Sequence, residues 1–271
     1  GVNIMDTCQK LGIPLVVYFL GYDGTVDWVL KKYGHRYHEF NTKAKAVIGV
    51  SKDMMNLLEA QGISRSLMHY NPCGPNNVPE VEALPAQNPP HFVAVAGFVE
   101  KKGYAYSIKA FAKVVAKYPE ARLSIVGNGL LLTSIKTLVH ELGLEKQVVF
   151  HGRLTIDEIT TISRGARAFI QHSVIASNGD REGTPVAILE AGLLGLPVIS
   201  TRHAGIPEVI LDGITGLLVE ERDIQGMADA MEVLIEDPDK AGQIGKAARK
   251  HVLREFNQEK LINNLWRILS S

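Results

Sequence analysis

The stretch Phe92-Val93-Ala94-Val95-Ala96-Gly97-Phe98-Val99-Glu100-Lys101-Lys102-Gly103 opens as an unbroken apolar run. It passes through a polar turn and leads into helical spacing that lasts to residue 117. A short continuous apolar run fits a strand buried on both faces, and a glycine at the turn permits a sharp change of direction. The unit recurs. Further β-branched runs at 122–126, 148–151, 168–172, 198–201 and 216–219 alternate with helical patterns at 103–117, 131–142, 156–164, 185–195 and 207–211. Three more helices are expected at 223–236, 239–255 and 258–270. Six strand–helix units in series predict a complete doubly wound α/β domain around a parallel sheet. Ligands of such domains lie beyond the carboxyl ends of the strands, so the loops that follow strands carry the candidate residues.

Upstream the pattern is shorter. A helix at 2–11, a strand at 14–20, a helix at 26–40, a strand at 46–50, a helix at 52–61 and a strand at 67–70 supply only three strands. Residues 71–90 hold six prolines, the composition of a domain boundary. The expected division is a partial N-terminal Rossmann-like domain at 1–75, a linker at 76–90, a ligand-binding domain at 91–255 and a C-terminal helix at 256–271. Half a sheet leaves an open edge. From this we read Gly1 as a truncation point and expect a second copy, as a homo-oligomer, to cover that edge.

Composition narrows the function classes. The 29 basic and 29 acidic side chains give no electrostatic case for nucleic acid. No run of eighteen apolar residues predicts a membrane span. Cys8 and Cys73 lack metal-ligand spacing and point to a reducing, cytoplasmic setting. No G-x-S-x-G elbow supports a serine nucleophile. Lys109, Lys113 and Lys117 on one helix leave peripheral contact with the inner face of a membrane open.

The most informative stretch is Glu182-Gly183-Thr184-Pro185-Val186-Ala187-Ile188-Leu189-Glu190-Ala191-Gly192-Leu193-Leu194-Gly195-Leu196-Pro197. Thr184 reads as the N-cap and Pro185 as the first helical residue. The amides of Val186 and Ala187 then offer an anion site at a helix N-terminus. Glu190 stands alone in an apolar helix expected to be buried nearly all round, which costs several kcal/mol without compensation, roughly. Glu182 and Glu190 are thus expected to converge on one spot with that anion site.

Other loops are less specific. Lys102 beside Gly103 could reach a pyrophosphate or belong to a solvated helix start. Gly127-Asn128-Gly129 suggests a tight turn or close ligand contact, the turn being favoured. Arg153 could touch a nucleotide or pair with Asp157 or Glu158. His203 or the Gly205 amide could meet a ligand or form a structural turn. Lys31, Lys32, His35, Arg36 and His38 read as a solvated face.

Glu182 to Ala191 resembles the E-x7-E signature of the retaining family 4 (group 1) glycosyltransferases, which have the GT-B fold. Ser200-Thr201-Arg202-His203-Ala204-Gly205-Ile206-Pro207-Glu208, Gly213-Ile214-Thr215-Gly216-Leu217-Leu218-Val219, Phe98 to Gly103, Ile125 to Gly129 and Asn71-Pro72-Cys73-Gly74 extend the resemblance over essentially the whole chain. Within that family the chain is most similar to transferases of bacterial exopolysaccharide assembly. The resemblance implies two Rossmann-like domains with the active site between them. The second domain, complete here, would bind a nucleotide-diphosphate sugar, and only the C-terminal half of the first would be present. Glu182 would be the catalytic residue, on the donor-sugar hydroxyls, and Glu190 would hold the ribose. Lys102 and backbone groups of Gly183, Thr184, Pro185 and Val186 would hold the pyrophosphate. Gly97, Gly127, Gly129 and Arg153 complete the implied donor-binding set. Neither metal nor cofactor is implied, and the acceptor would be a saccharide or a lipid-linked saccharide. The chain departs from the family at two sites. Gly97 stands where an arginine is usual, and Leu20 stands where a histidine is expected. With the first strands also absent, the alternative is a nucleotide-sugar-binding module with little or no transfer.

Overall fold

The computed structural model describes residues 1–76 and 81–270; part of the expected linker, 77–80, and residue 271 lie outside the described residues. The first region contains strands β1 (Val16–Phe19), β2 (Ala46–Gly49) and β3 (Met68–Tyr70). Its helices are α1 (Met5–Lys10), α2 (Tyr22–Thr25), α3 (Asp27–Tyr33), α4 (Phe40–Lys43) and α5 (Lys52–Ala60). The second contains β4 (His91–Val95), β5 (Arg122–Val126), β6 (Val148–Gly152), β7 (Ala168–Gln171), β8 (Val198–Thr201) and β9 (Gly216–Val219). Its helices are α6 (Tyr104–Lys117), α7 (Leu132–Glu141), α8 (Ile156–Arg164), α9 (Val186–Leu193), α10 (Ile206–Val209), α11 (Ile224–Glu236) and α12 (Pro238–Glu255). The chain ends in α13 (Gln258–Ser270).

All strand pairs are parallel, and the six-stranded sheet has the order β6-β5-β4-β7-β8-β9. This is the doubly wound order in which the chain builds outward in one direction and then returns to the centre to build the other way. The switch falls between β4 and β7, where Phe92 lies opposite Ala168 and Val93 opposite Phe169. Helices cover both faces. Phe92, Ile108, Phe111, Leu123, Met227 and Met231 belong to one apolar cluster, and Val93, Phe169, Ile188, Leu189, Val209 and Val252 to the other.

The smaller sheet, ordered β1-β2-β3, is built differently. Its main core gathers Met5, Phe19, Phe40, Val47, Met54 and Leu58 on one face. On the other, Ala46 and Ile48 meet Ile268 of α13, which has crossed back from the far end of the chain. Asn264 Nδ2 donates to the Tyr70 carbonyl at 3.1 Å and Gln258 Nε2 to the Pro75 carbonyl at 2.8 Å, fastening that crossing.

The single helix expected at 26–40 is broken into α2, α3, the 3-10 segment Gly34–Glu39 and α4. Val26 is extended at φ −75° and ψ 127°, and the Asp27 amide donates to the Asn178 carbonyl of the larger region at 2.9 Å. A tertiary hydrogen bond thus replaces a helical one. Similar contacts join the two regions along one seam: Thr184 Oγ1 donates to the Val50 carbonyl at 2.7 Å, and the Lys52 amide donates to Glu208 Oε1 at 2.7 Å. At the same seam a Cβ on Gly205 would stand 2.1 Å from the Gly183 carbonyl, so glycine is required by space alone. No helix among the described residues is long and apolar enough to cross a membrane.

Candidate functional site

The loops after β4 and β7 meet at the switch point, as the doubly wound order dictates. Gly103 ends the first with φ 58°, and a Cβ there would lie 1.7 Å from the His172 carbonyl. Its left-handed backbone therefore lets Lys102, one residue earlier, approach the second loop. Lys102 Nζ lies 2.7 Å from Glu182 Oε1, with both side chains largely removed from solvent.

Glu182 sits on a floor of polar groups. Gln171 Nε2 donates to its Oε1 at 3.2 Å and Ser173 Oγ donates at 3.3 Å, while Gln171 Nε2 also donates to Ser173 Oγ at 2.8 Å. These contacts and the Lys102 ammonium all reach Oε1. Burial drives the carboxyl pKa up, but the charge of Lys102, with Lys101 behind it, outweighs that cost and holds it below the ordinary carboxylate value. Lys101 braces the same loop through Asp180 at 3.0 Å and the Arg181 carbonyl at 3.3 Å.

The helix that follows begins later than expected. Thr184 does not cap it: its hydroxyl donates across the seam to Val50 and accepts from the Cys73 amide at 3.3 Å. Pro185, extended at φ −74° and ψ 102°, occupies the N-cap position of α9. The first helical bonds come from Ile188 and Leu189 to the Pro185 carbonyl, so the amides of Val186 and Ala187 have no protein partner among the described residues. The helix N-terminus expected to receive an anion is thus left with two open amides, under a different cap.

Glu190 departs further from expectation. Helix α9 is not buried all round: Ala187, Glu190, Ala191 and Leu194 face a cavity of about 440 Å³ closed by α8 and the sheet residues Val95 and Phe169. Glu190 accepts from Asn76 Nδ2 at 3.1 Å, and partial burial raises its pKa above the ordinary value. The two carboxylates have different surroundings, for Glu182 does not line the cavity that Glu190 faces. Glu182 is neutralised at the switch point, whereas Glu190 lies one turn along the helix and opens onto its own cavity.

The remaining candidates divide. Gly127 and Gly129 are accounted for by backbone packing, because Cβ atoms there would stand 2.0 Å from the Ala96 carbonyl and 2.7 Å from the Phe98 amide. This is the turn role. Gly97 is exposed, and a Cβ there would meet only the Asn128 carbonyl at 3.7 Å. Gly183 packs against Leu20 and Val50 across the seam, which brings Leu20 beside the Glu182 loop. Arg153 is exposed, and Glu158 is engaged instead in a capping box with Thr155, at 2.8 Å and 3.4 Å. His203 is fully buried with both ring nitrogens bonded, so it does not face a ligand. Three residues escaped the sequence reading: Gln171, Ser173 and Glu221. Gln171 could have been found, since a polar residue ending the buried strand at the switch point has few roles except to face the crevice.

A crevice pairing a buried lysine and carboxylate beside an open helix N-terminus suits an anionic ligand carrying hydroxyl groups. Comparison with known proteins identifies the family. The family described as glycosyl transferases group 1 matches residues 80–251. A protein of Escherichia coli (strain K12) named as a colanic acid biosynthesis glycosyltransferase is 29% identical over 270 residues, 97% of this chain and 66% of its own length. The amylovoran biosynthesis glycosyltransferase AmsK of Erwinia amylovora is 30% identical over 258 residues, 94% of this chain and 63% of its own length. The chain therefore spans about two thirds of these relatives. Among solved structures, Anabaena Alr3699/HepE in complex with UDP and glucose superposes with a TM-score of 0.83 at 20% identity, over 98% of this chain and 74% of that one. The fold is thus GT-B, and the chain belongs to the group 1 glycosyltransferase family.

Proposed function

We propose that this chain carries the donor site of a retaining, metal-independent glycosyltransferase that moves a sugar from a nucleotide diphosphate to a saccharide or lipid-linked acceptor. The observation that carries this reading is the Lys102–Glu182 contact of 2.7 Å at the switch point, directly before the open N-terminus of α9. The diphosphate would lie along the Val186 and Ala187 amides, where the helix dipole favours negative charge, and Lys102 would turn from Glu182 toward it. As the sugar–oxygen bond breaks, the charge gathering on the departing diphosphate is met by groups already in place. Glu182, released from part of its ion pair, would accept from donor-sugar hydroxyls, and we assign that contact to Oε2. Glu190 would accept from the ribose hydroxyls, with the nucleotide entering the cavity beside it. Retention would follow if the departing phosphate oxygen took the acceptor proton on the face the leaving group vacates.

The test is release of free nucleotide from a panel of nucleotide sugars in the presence of chelator. Release that disappears in Glu182→Ala and Lys102→Ala supports the reading. Binding of nucleotide sugar without release in the wild type would establish the binding-module alternative, which Gly97 and Leu20 favour by removing a cation and an imidazole from the crevice. Failure to bind any nucleotide sugar would overturn both.

A further inference from the structure

The loop that carries Glu182, residues 172–185, contains no helix or strand, yet its functional side chain must hold a fixed direction. One carboxylate on another strand's loop ties down both ends of it. Glu221 follows β9; its Oε2 accepts from the Ile175 amide at 3.0 Å, near the start of the loop. Its Oε1 lies 2.6 Å from Nδ1 of His203, and Nε2 of that histidine lies 3.1 Å from the Glu182 amide. Next to Glu221, Arg222 takes the left-handed conformation at φ 66°. There its amide donates to His172 Nε2 at 2.8 Å and its guanidinium to the Ile175 carbonyl at 3.1 Å, fixing the stem from which Glu221 reaches out.

The chemistry of this chain of contacts is determined. A backbone amide can only donate, so the ring nitrogen that receives the Glu182 N–H carries no proton. His203 is therefore neutral with its proton on Nδ1, which donates to Glu221. A carboxylate acceptor makes that bond charge-assisted and holds the tautomer. The ring is buried and reaches no solvent, which leaves it positional work rather than proton transfer.

We propose that Glu221, acting through the Nδ1–H tautomer of His203, is the positioning group for Glu182. The inference rests on the donor-sugar contact proposed above for Glu182. It predicts an effect on the sugar and not on the nucleotide, because the Val186 and Ala187 amides and Glu190 make no contact with Glu221 or His203.

Two substitutions of the histidine separate the two ends of the relay. In His203→Gln the side-chain oxygen falls near the position of Nε2 and can still accept from Glu182, but the link to Glu221 is cut. In His203→Asn the link to Glu221 survives and the Glu182 anchor is lost. Calorimetric titration of the full chain with a nucleoside diphosphate and with its sugar conjugate reads the difference. His203→Asn and Glu221→Ala should each weaken the sugar conjugate about tenfold and leave the nucleoside diphosphate unchanged. His203→Gln should lose less than His203→Asn, and adding Glu221→Ala to it should cost less than Glu221→Ala costs in the wild type, because only the Ile175 contact is then left to lose. Equal losses for both ligands, or the same effect of Glu221→Ala in both backgrounds, would overturn the proposal. A wild type that binds neither ligand would instead overturn the donor-site reading. Nitrogen-15 spectra of the histidines test the relay independently: a His203 ring protonated at Nε2 would rule it out.

Discussion

The six-stranded region and the three-stranded region are the same kind of parallel sheet, but their supports come from different places. In the larger, helices from adjacent sequence cover both faces, and the switch between β4 and β7 creates the site. In the smaller, one face relies on α13, about two hundred residues away, and the helix after β1 is broken by a hydrogen bond to Asn178. Local sequence is therefore enough to build the first, whereas the second is shaped by what it docks against. Where the elements bury their own neighbours, periodicity reads them correctly; where a distant carbonyl captures an amide, periodicity fails.

The sharpest way to break this comparison is at the switch point. Gly103→Ala places a Cβ against the His172 carbonyl in a left-handed backbone and should cost roughly 3 kcal/mol or more. Thermal unfolding followed by circular dichroism should show the larger region melting early; an unchanged midpoint would mean the two loops are not closely packed. Lys102→Met is the next largest. It leaves Glu182 buried without its counter-charge and should destabilise by about 3 kcal/mol, with the carboxyl pKa moving up. Chemical denaturation and carboxylate titration by NMR would check both effects.

An effect of similar size depends on pH and belongs to the larger region alone. Burial depresses His172 from its ordinary value of 6.5 to about 4, with its Nδ1 against Met227 Sδ at 2.9 Å and its Nε2 accepting from Arg222. The unfolded chain then binds the proton more readily than the folded one. Its contribution is complete above 6.5 and is lost as pH falls from 6.5 to about 4. The loss should be on the order of 3 kcal/mol, and His172→Gln should flatten the melting profile over that interval. Smallest of all is Thr184→Val, which deletes the hydrogen bonds to Val50 and from Cys73 and should cost about 1 kcal/mol. Hydrogen exchange should rise at residues 50–53 and 71–76 and not in β4 to β9; a uniform rise would show that the regions do not unfold separately.

Much of the site was legible because its chemistry is concentrated in short stretches. Glu182, Lys102 and the helix end at Val186 and Ala187 announce themselves by carboxylate, cation and proline placement. The cap was misassigned because threonine before proline is an ordinary capping signal, while the real partners of Thr184 lie in the other region. Glu190 was read as a deeply buried charge because its helix is apolar in sequence. The cavity it faces exists only when α8 packs alongside, and nothing in residues 182–197 records that neighbour.

The parallel, doubly wound character of the larger region, its strand and helix segments and the position of its ligand-facing loops followed from the chain alone. Each unit there buries its apolar side against the next, and right-handed crossovers leave few arrangements. The ion pair of Lys102 with Glu182, the different surroundings of Glu182 and Glu190 and the clasp of Glu221 on His203 were decided by the tertiary structure. The ion pair and the clasp join loops that follow different strands, and parallel pairing of β4 with β7, and of β8 with β9, is what brings those loop ends within hydrogen-bonding distance.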